Sequence, residues 1–146
     1  TGTALFAATA AAFALAGAGP DAPAAGVQLK VSEQPEYGAY LTDSKGRSLY
    51  LFEADRPATS NCYDACADAW PPLTTEGEPR AGDMVKAGLL GTIERRDGAR
   101  QVTYDGMPLY YFVKDQEPGD TAGQDVEGFG GEWYLVAPDG AKVHEE

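Results

Sequence analysis

Residues 46–55 read GRSLYLFEAD, and residues 106–115 read GMPLYYFVKD. The two stretches are sixty positions apart, and five of their ten positions are identical. Three of these five are large apolar residues, which indicates an internal repeat. The shared positions are Gly46 and Gly106, Leu49 and Leu109, Tyr50 and Tyr110, Phe52 and Phe112, and Asp55 and Asp115.

Each copy of this motif is predicted to be a β-strand. Alternation puts Tyr50 and Phe52 on one face and the neighbouring leucines on the other. Both faces are apolar, so we expect each strand to be covered on both sides. Asp-Gly turns separate further short apolar runs, which predicts about seven strands, mostly in antiparallel hairpins. One short helix is predicted around residues 63–70, where two prolines end it.

These patterns predict an all-β fold. Two related antiparallel β-repeats would form one compact sandwich- or barrel-like domain with one short helix, and an apolar N-terminal helix would precede it. The expected organisation is an apolar membrane anchor or signal-like helix over residues 1–19, a linker over residues 20–36 and the β-repeat domain over residues 37–146.

The first nineteen residues carry no charge and admit two interpretations. One is the apolar region of a cleavable signal peptide. The other, which we favour, is a retained helix of roughly 28 Å, close to the thickness of a bilayer's hydrocarbon core. Most of the segment is alanine and glycine, which suits packing against other membrane helices. Its large side chains, the candidates for membrane or helix contact, are Leu5, Phe6, Phe13 and Leu15.

Composition narrows the classes of partner. The formal net charge is −12, with 23 acidic and 11 basic residues, so nucleic acid is a poor partner. Two cysteines and one histidine are too few for an ordinary four-ligand zinc site. We expect no cofactor, and we expect no enzyme, because no nucleophile–base set, phosphate loop or dinucleotide motif is present.

The two cysteines, Cys62 and Cys66, are expected to form a disulfide in an oxidising compartment. The bridge would fix the turn that places Trp70. Metal or haem ligation and redox catalysis remain the alternatives, although neither a haem-attachment pattern nor the usual Cys-x-x-Cys spacing is present.

The aspartates that close the two motifs, Asp55 and Asp115, are interpreted as strand-end caps that accept N–H groups from the following turn. Calcium binding is the alternative, since carboxylate oxygens suit hard cations. The weak metal candidates are Asp115, Glu117, Asp120 and Asp125. The motif aromatics, with Trp70 and Trp133, are expected in the core and between the repeats, with a sugar-stacking platform as the alternative.

The strand motifs, the segment NCYDACADAWPPL at residues 61–73 and the segment WYLVAPDG at residues 133–140 together resemble a bacterial secreted-repeat family of predicted lipoproteins. The resemblance covers roughly residues 37–144. It implies an envelope or secreted location, a β-rich repeat domain and no established catalytic activity. No lipid-acceptor cysteine follows the apolar segment, which departs from the lipoprotein members.

We therefore expect an exported, non-catalytic structural or interaction module in the periplasm or on the outer face of a bacterial membrane. Residues 1–19 would anchor it, and it would be an accessory subunit that packs on a larger membrane protein complex. The alternative is a periplasmic or extracellular binding module for a metal cation or small ligand, using the acidic loops.

Overall fold

The computed structural model describes residues 26–143 and shows a mostly β chain with one short helix in that range. The strands are β1 (Gln28–Gln34), β2 (Gly38–Asp43), β3 (Tyr50–Phe52), β4 (Arg80–Ala81), β5 (Leu90–Glu94), β6 (Arg100–Tyr104), β7 (Met107–Pro108), β8 (Val126–Gly128) and β9 (Gly131–Leu135). The helix α1 is Ala65–Ala69, and a 3₁₀ turn covers Ala87–Leu89.

Both repeats begin with the same hairpin. In the first repeat β1 pairs antiparallel with β2, with Val31 opposite Leu41. In the second repeat β5 pairs antiparallel with β6, with Thr92 opposite Val102. A turn then leads into the motif strand, and the shared glycine of the motif lies in that turn. Its φ is 90° at Gly46 and 85° at Gly106, a region that favours glycine and explains why the motif keeps it.

The first repeat donates a segment to the second. Residues 71–75, which follow α1, lie between the second strand of the other hairpin and the second motif. The Leu73 N–H donates to the Leu109 carbonyl at 2.9 Å, and the Val102 N–H donates to the Leu73 carbonyl at 2.8 Å. The second motif therefore has an extended segment from the first repeat beside it, bound through isolated bridges.

The second repeat returns a strand in the same way. β9 pairs antiparallel with β3, and Tyr50 lies opposite Leu135. The Leu41 N–H also donates to the Val136 carbonyl at 2.8 Å. Each repeat thus completes the sheet of the other. We call residues 71–75 and β9 the exchanged segments.

The core has two parts, one on each side of the motif strands. Leu49, Leu51 and Leu109 belong to an aliphatic cluster, and Tyr50 and Phe52 belong to an aromatic cluster. All of these side chains are buried. The alternation therefore assigns one face of each motif copy to each cluster, although the second copy is a strand only at Met107–Pro108 and continues through an isolated bridge at Tyr110.

The structure differs from the predicted boundaries. The linker predicted over residues 20–36 is wrong in its second half, because Gln28–Gln34 forms β1 and Leu29 is fully buried. The alternation of Leu29 and Val31 with polar residues carried the strand signal, but the Ala- and Gly-rich residues before it favoured a linker. β4 and β8 also lie in stretches where no strand was predicted, whereas the strand predicted at residues 142–143 is only an isolated bridge between Lys142 and Val136. The described residues contain nine strands.

The predicted N-terminal helix, with Leu5, Phe6, Phe13 and Leu15, lies outside the described residues. From residue 26 to residue 143, no helix is long and apolar enough to cross a membrane.

Candidate functional site

The two motifs meet at their tyrosines. The Tyr50 N–H donates to the Tyr110 carbonyl at 2.8 Å, and the Tyr110 N–H donates to the Tyr50 carbonyl at 2.9 Å. Two residues that exchange both backbone hydrogen bonds form a hydrogen-bonded antiparallel pair, so the backbones of the two motifs are joined directly at this bridge. The two tyrosines therefore mark the centre of an approximate two-fold relation between the repeats.

Each tyrosine then bonds the aspartate of the other repeat. The Tyr50 hydroxyl donates to Asp115 Oδ2 at 2.6 Å, and the Tyr110 hydroxyl donates to Asp55 Oδ2 at 2.7 Å. All four side chains are buried. Sequence reasoning interpreted the aspartates as caps but did not anticipate this reciprocal pairing, which joins the repeats.

The second oxygen of each aspartate accepts a backbone N–H from the following turn. Asp55 Oδ1 accepts from Asn61 at 2.6 Å, and Asp115 Oδ1 accepts from Ala122 at 2.8 Å. These bonds are of the kind that the cap interpretation requires. Each carboxylate thus holds a loop of its own repeat and a tyrosine of the other.

Burial dominates the electrostatics of these pairs. Burial raises the pKa of Asp55 to about 6, although the bonds from Tyr110 and Asn61 oppose the shift. Burial also raises the pKa of Asp115. The pKa values of Tyr50 and Tyr110 lie far above the ordinary value, first because both are buried and also because each bonds a carboxylate. The phenols therefore stay protonated and act as donors.

The raised pKa of Asp55 predicts that the protein gains stability on mild acidification. An aspartate that titrates at 3.8 when unfolded and at about 6 when folded binds more protons in the folded state between these values. The resulting stabilisation is complete below about pH 4 and disappears as the pH rises through about 6. We expect a contribution of about 1–3 kcal/mol to the free energy of unfolding, measured by urea titration across this range.

The matched control for this effect is Asp55→Asn, which removes the titrating group and keeps its shape. The difference between wild type and Asp55→Asn should change with pH in the stated direction, whereas repulsion among the other carboxylates is common to both proteins. A difference that is constant from about pH 4 to about pH 7 would contradict the prediction.

A stack of four aromatic rings passes through the junction. Trp70 and Trp133 stack at 3.9 Å between ring centroids, Phe112 stacks on Trp70 at 3.9 Å, and Phe52 stacks on Trp133 at 4.0 Å. Each repeat supplies one tryptophan and one phenylalanine. Trp70 and Trp133 are almost fully buried, so the rings form core and offer no open face to a sugar.

The charge of an arginine acts on each aspartate: the buried Arg95 on Asp55 and the half-buried Arg47 on Asp115. Arg95 is 3% exposed, and its guanidinium donates to Ser60 Oγ, to Gln101 Oε1 and to the Cys62 carbonyl. The Arg95 charge lowers the pKa of Asp55, and the Arg47 charge lowers that of Asp115. Sequence reasoning missed Arg95, because an arginine beside an Asp-Gly turn has the pattern of an exposed turn residue.

The predicted disulfide between Cys62 and Cys66 is confirmed, with 5.1 Å between the Cα atoms. Both cysteines are buried in the aromatic cluster beside Trp70. The bridge closes the start of α1, and α1 leads into the first exchanged segment. It therefore fixes the turn that delivers Trp70 to the stack.

Reduction of this bridge should destabilise the fold moderately. A loop this short limits the entropic contribution to about 2 kcal/mol. The free energy of unfolding should fall by that amount in dithiothreitol, as measured by urea denaturation. A Cys62→Ala/Cys66→Ala variant should show the same loss without reductant and should not respond to dithiothreitol. Equal stability of the oxidised and reduced proteins would refute this role.

The weak metal candidates are not brought together. Asp115 is buried against Tyr50, while Asp120 Oδ2 accepts the N–H groups of Gln116 and Glu117. Asp125 and Glu117 are exposed. Within residues 26–143, no group of three acidic, histidine or cysteine side chains is arranged to hold a metal ion. Asp120 therefore serves its own turn, and Asp115 serves the junction and the turn that contains Ala122.

Comparison with known proteins agrees with this division of the chain. A protein-family model described as a secreted repeat of unknown function matches residues 32–74 and 91–137, more than half of the chain. Each match begins in the first strand of a hairpin and extends to an exchanged segment. The resemblance seen in the motifs is confirmed. Nothing matches among curated proteins or solved structures.

Proposed function

The chain belongs to this family of secreted repeats of unknown function, and on that premise we propose that it is an exported, non-catalytic interaction module. Residues 1–19 hold it at the outer face of a bacterial membrane, where it is an accessory subunit that packs on a larger membrane protein complex. Family membership itself implies export.

The observation that carries the proposal is that the polar side chains of the repeat motif hydrogen-bond to one another. The phenols and carboxylates of the motif are buried and satisfy one another across the junction. A catalytic acid, base or nucleophile must reach a substrate. The phenols and carboxylates of the motif instead form the hydrogen bonds that join the repeats. The result is a rigid body suited to presenting a surface.

Composition supports the membrane part of the proposal. Residues 1–19 are uncharged and rich in alanine and glycine, which allow helix backbones to approach closely inside a bilayer. Leu5, Phe6, Phe13 and Leu15 are the large side chains available for contact with lipid or neighbouring helices. A net charge of −12 keeps the exported domain away from anionic lipid and suits a basic protein partner.

Co-purification tests this function. The full chain, tagged at its C-terminus and expressed in a native bacterial host, should be extracted from membranes by mild detergent together with stoichiometric partner subunits. A Phe13→Ser/Leu15→Ser variant should shift to the soluble fraction, while Phe129→Ser, an exposed change in the β domain, should not. A protein that runs as a detergent-solubilised monomer without a stable partner would sink the proposal.

A further inference from the structure

The two repeats treat one equivalent sheet edge differently. In the first repeat the outer edge of β1 is covered at Gln28 and Leu29 by β4, which runs parallel to it. The Gly82 N–H donates to the Leu29 carbonyl at 2.8 Å. Leu90 of the second repeat occupies the position of Leu29 in the first. Leu29 lies opposite Asp43, and Leu90 lies opposite Tyr104 in the matching register. Among residues 26–143, no strand pairs with that edge of β5.

The β5 edge presents backbone groups in a regular row. The Leu89 carbonyl accepts from Asp105 and the Arg95 N–H donates to Ala99, so odd-numbered residues face β6. Successive residues of a strand direct their N–H and C=O groups to opposite sides. The backbone groups of Thr92 and Glu94 and the Leu90 carbonyl therefore point away from the sheet, whereas the Leu90 N–H donates to the Ala87 carbonyl of the preceding 3₁₀ turn.

This edge lacks the devices that normally prevent strand addition. Proteins protect edges with lysine, proline, bulges or a covering segment. β5 reads LGTIE and carries one charged residue, Glu94, at its end. The comparable edge of β1 has both the cover of β4 and the exposed Lys30.

A groove lies where β5 ends. It encloses about 370 Å³ and is lined by Ser60, Asn61, Tyr63, Ile93, Glu94 and Arg96. The Arg96 guanidinium lies 3.8 Å from the centroid of the Tyr63 ring and makes no salt bridge with a described residue. The groove thus offers an available positive charge at the C-terminal end of the open edge.

We propose that the β5 edge binds an extended segment of a partner protein, which adds to the sheet parallel to β5 as β4 adds to β1. The segment is neutral and β-branched where it faces Leu90–Ile93, and it carries an aspartate or glutamate that meets Arg96. This inference rests on the proposed function and names the surface by which the module contacts its partner.

The probe for this surface is a phage-displayed library of random peptides of roughly eight residues, an ordinary strand length, selected on the full chain. Selected peptides should be neutral with a C-terminal acidic residue, and they should protect the Thr92 and Glu94 amides from hydrogen exchange. Thr92→Pro removes an N–H that points away from the sheet, and edge strands tolerate proline at such positions. This variant should weaken peptide binding by about tenfold or more.

Three controls keep the test sharp. Thr92→Val retains the N–H and should bind like wild type, Arg96→Gln should weaken binding roughly threefold, and the melting temperature of each variant reports whether it is folded. Peptides that bind Thr92→Pro as well as wild type, or no selection above background, would overturn the inference. If the membrane complex still co-purifies in that case, the proposed function stands and its contact lies elsewhere.

Discussion

Replacing Trp133 by alanine is expected to lower the free energy of unfolding by about 3–5 kcal/mol, a large share of the roughly 5–15 kcal/mol of an ordinary domain. Trp133 is fully buried between Trp70 and Phe52, with Tyr110 edge-on at 5.2 Å. Truncation leaves a cavity at the centre of the stack, where rings from both repeats meet. Urea denaturation followed by far-UV circular dichroism measures the loss.

The control is Phe129→Ala, which removes another aromatic ring from the same hairpin. Phe129 is 53% exposed in the turn between β8 and β9, so its loss should change stability by no more than about 0.5 kcal/mol. A Trp133→Phe variant should lie between the two. If Trp133→Ala proves no worse than Phe129→Ala, the stack does not hold the repeats together.

Local patterns predicted the elements that depend on neighbouring residues. The alternation of the motif identified β3 and its two buried faces, and the Cys62–Cys66 spacing led to the disulfide. The two prolines after Trp70 placed the end of the helix near where α1 ends. Each of these features is decided within a few residues, which is the range over which a sequence pattern is informative.

The exchange of segments could not be found in that way. Leu73 pairs with Leu109, and Leu41 pairs with Val136, across separations that no local periodicity records. The Tyr–Asp pairing was more accessible to prediction from the sequence. Two buried tyrosines and two buried aspartates at equivalent positions need partners, and reciprocal pairing between repeats satisfies all four. The repeat motif therefore indicates the Tyr–Asp pairing, provided that its tyrosines and aspartates are treated as buried residues.

The junction itself predicts the second large effect. A Tyr50→Phe/Tyr110→Phe variant should lose about 2–6 kcal/mol of unfolding free energy, because each change leaves a buried carboxylate oxygen without its donor. Tyr50→Phe also removes the acceptor of the Gly123 N–H, which lies 3.1 Å from the hydroxyl. The rings remain in place, so the loss measures hydrogen bonding rather than packing.

The pH dependence of this loss separates hydrogen bonding from other causes. The tyrosine hydrogen bonds lower the pKa values of Asp55 and Asp115, so their removal should raise both further. A buried aspartate that has lost its donor is destabilising mainly when ionised, and the deficit of the double variant should therefore shrink as the pH falls from about 8 to about 5.

Tyr63→Phe serves as control, because the Tyr63 hydroxyl accepts only the exposed Arg96 N–H, and the effect of this substitution should be small at every pH. A deficit of the double variant that does not change with pH would mean that it does not arise from ionised carboxylates that have lost their donors, and that the carboxylates are not what joins the repeats.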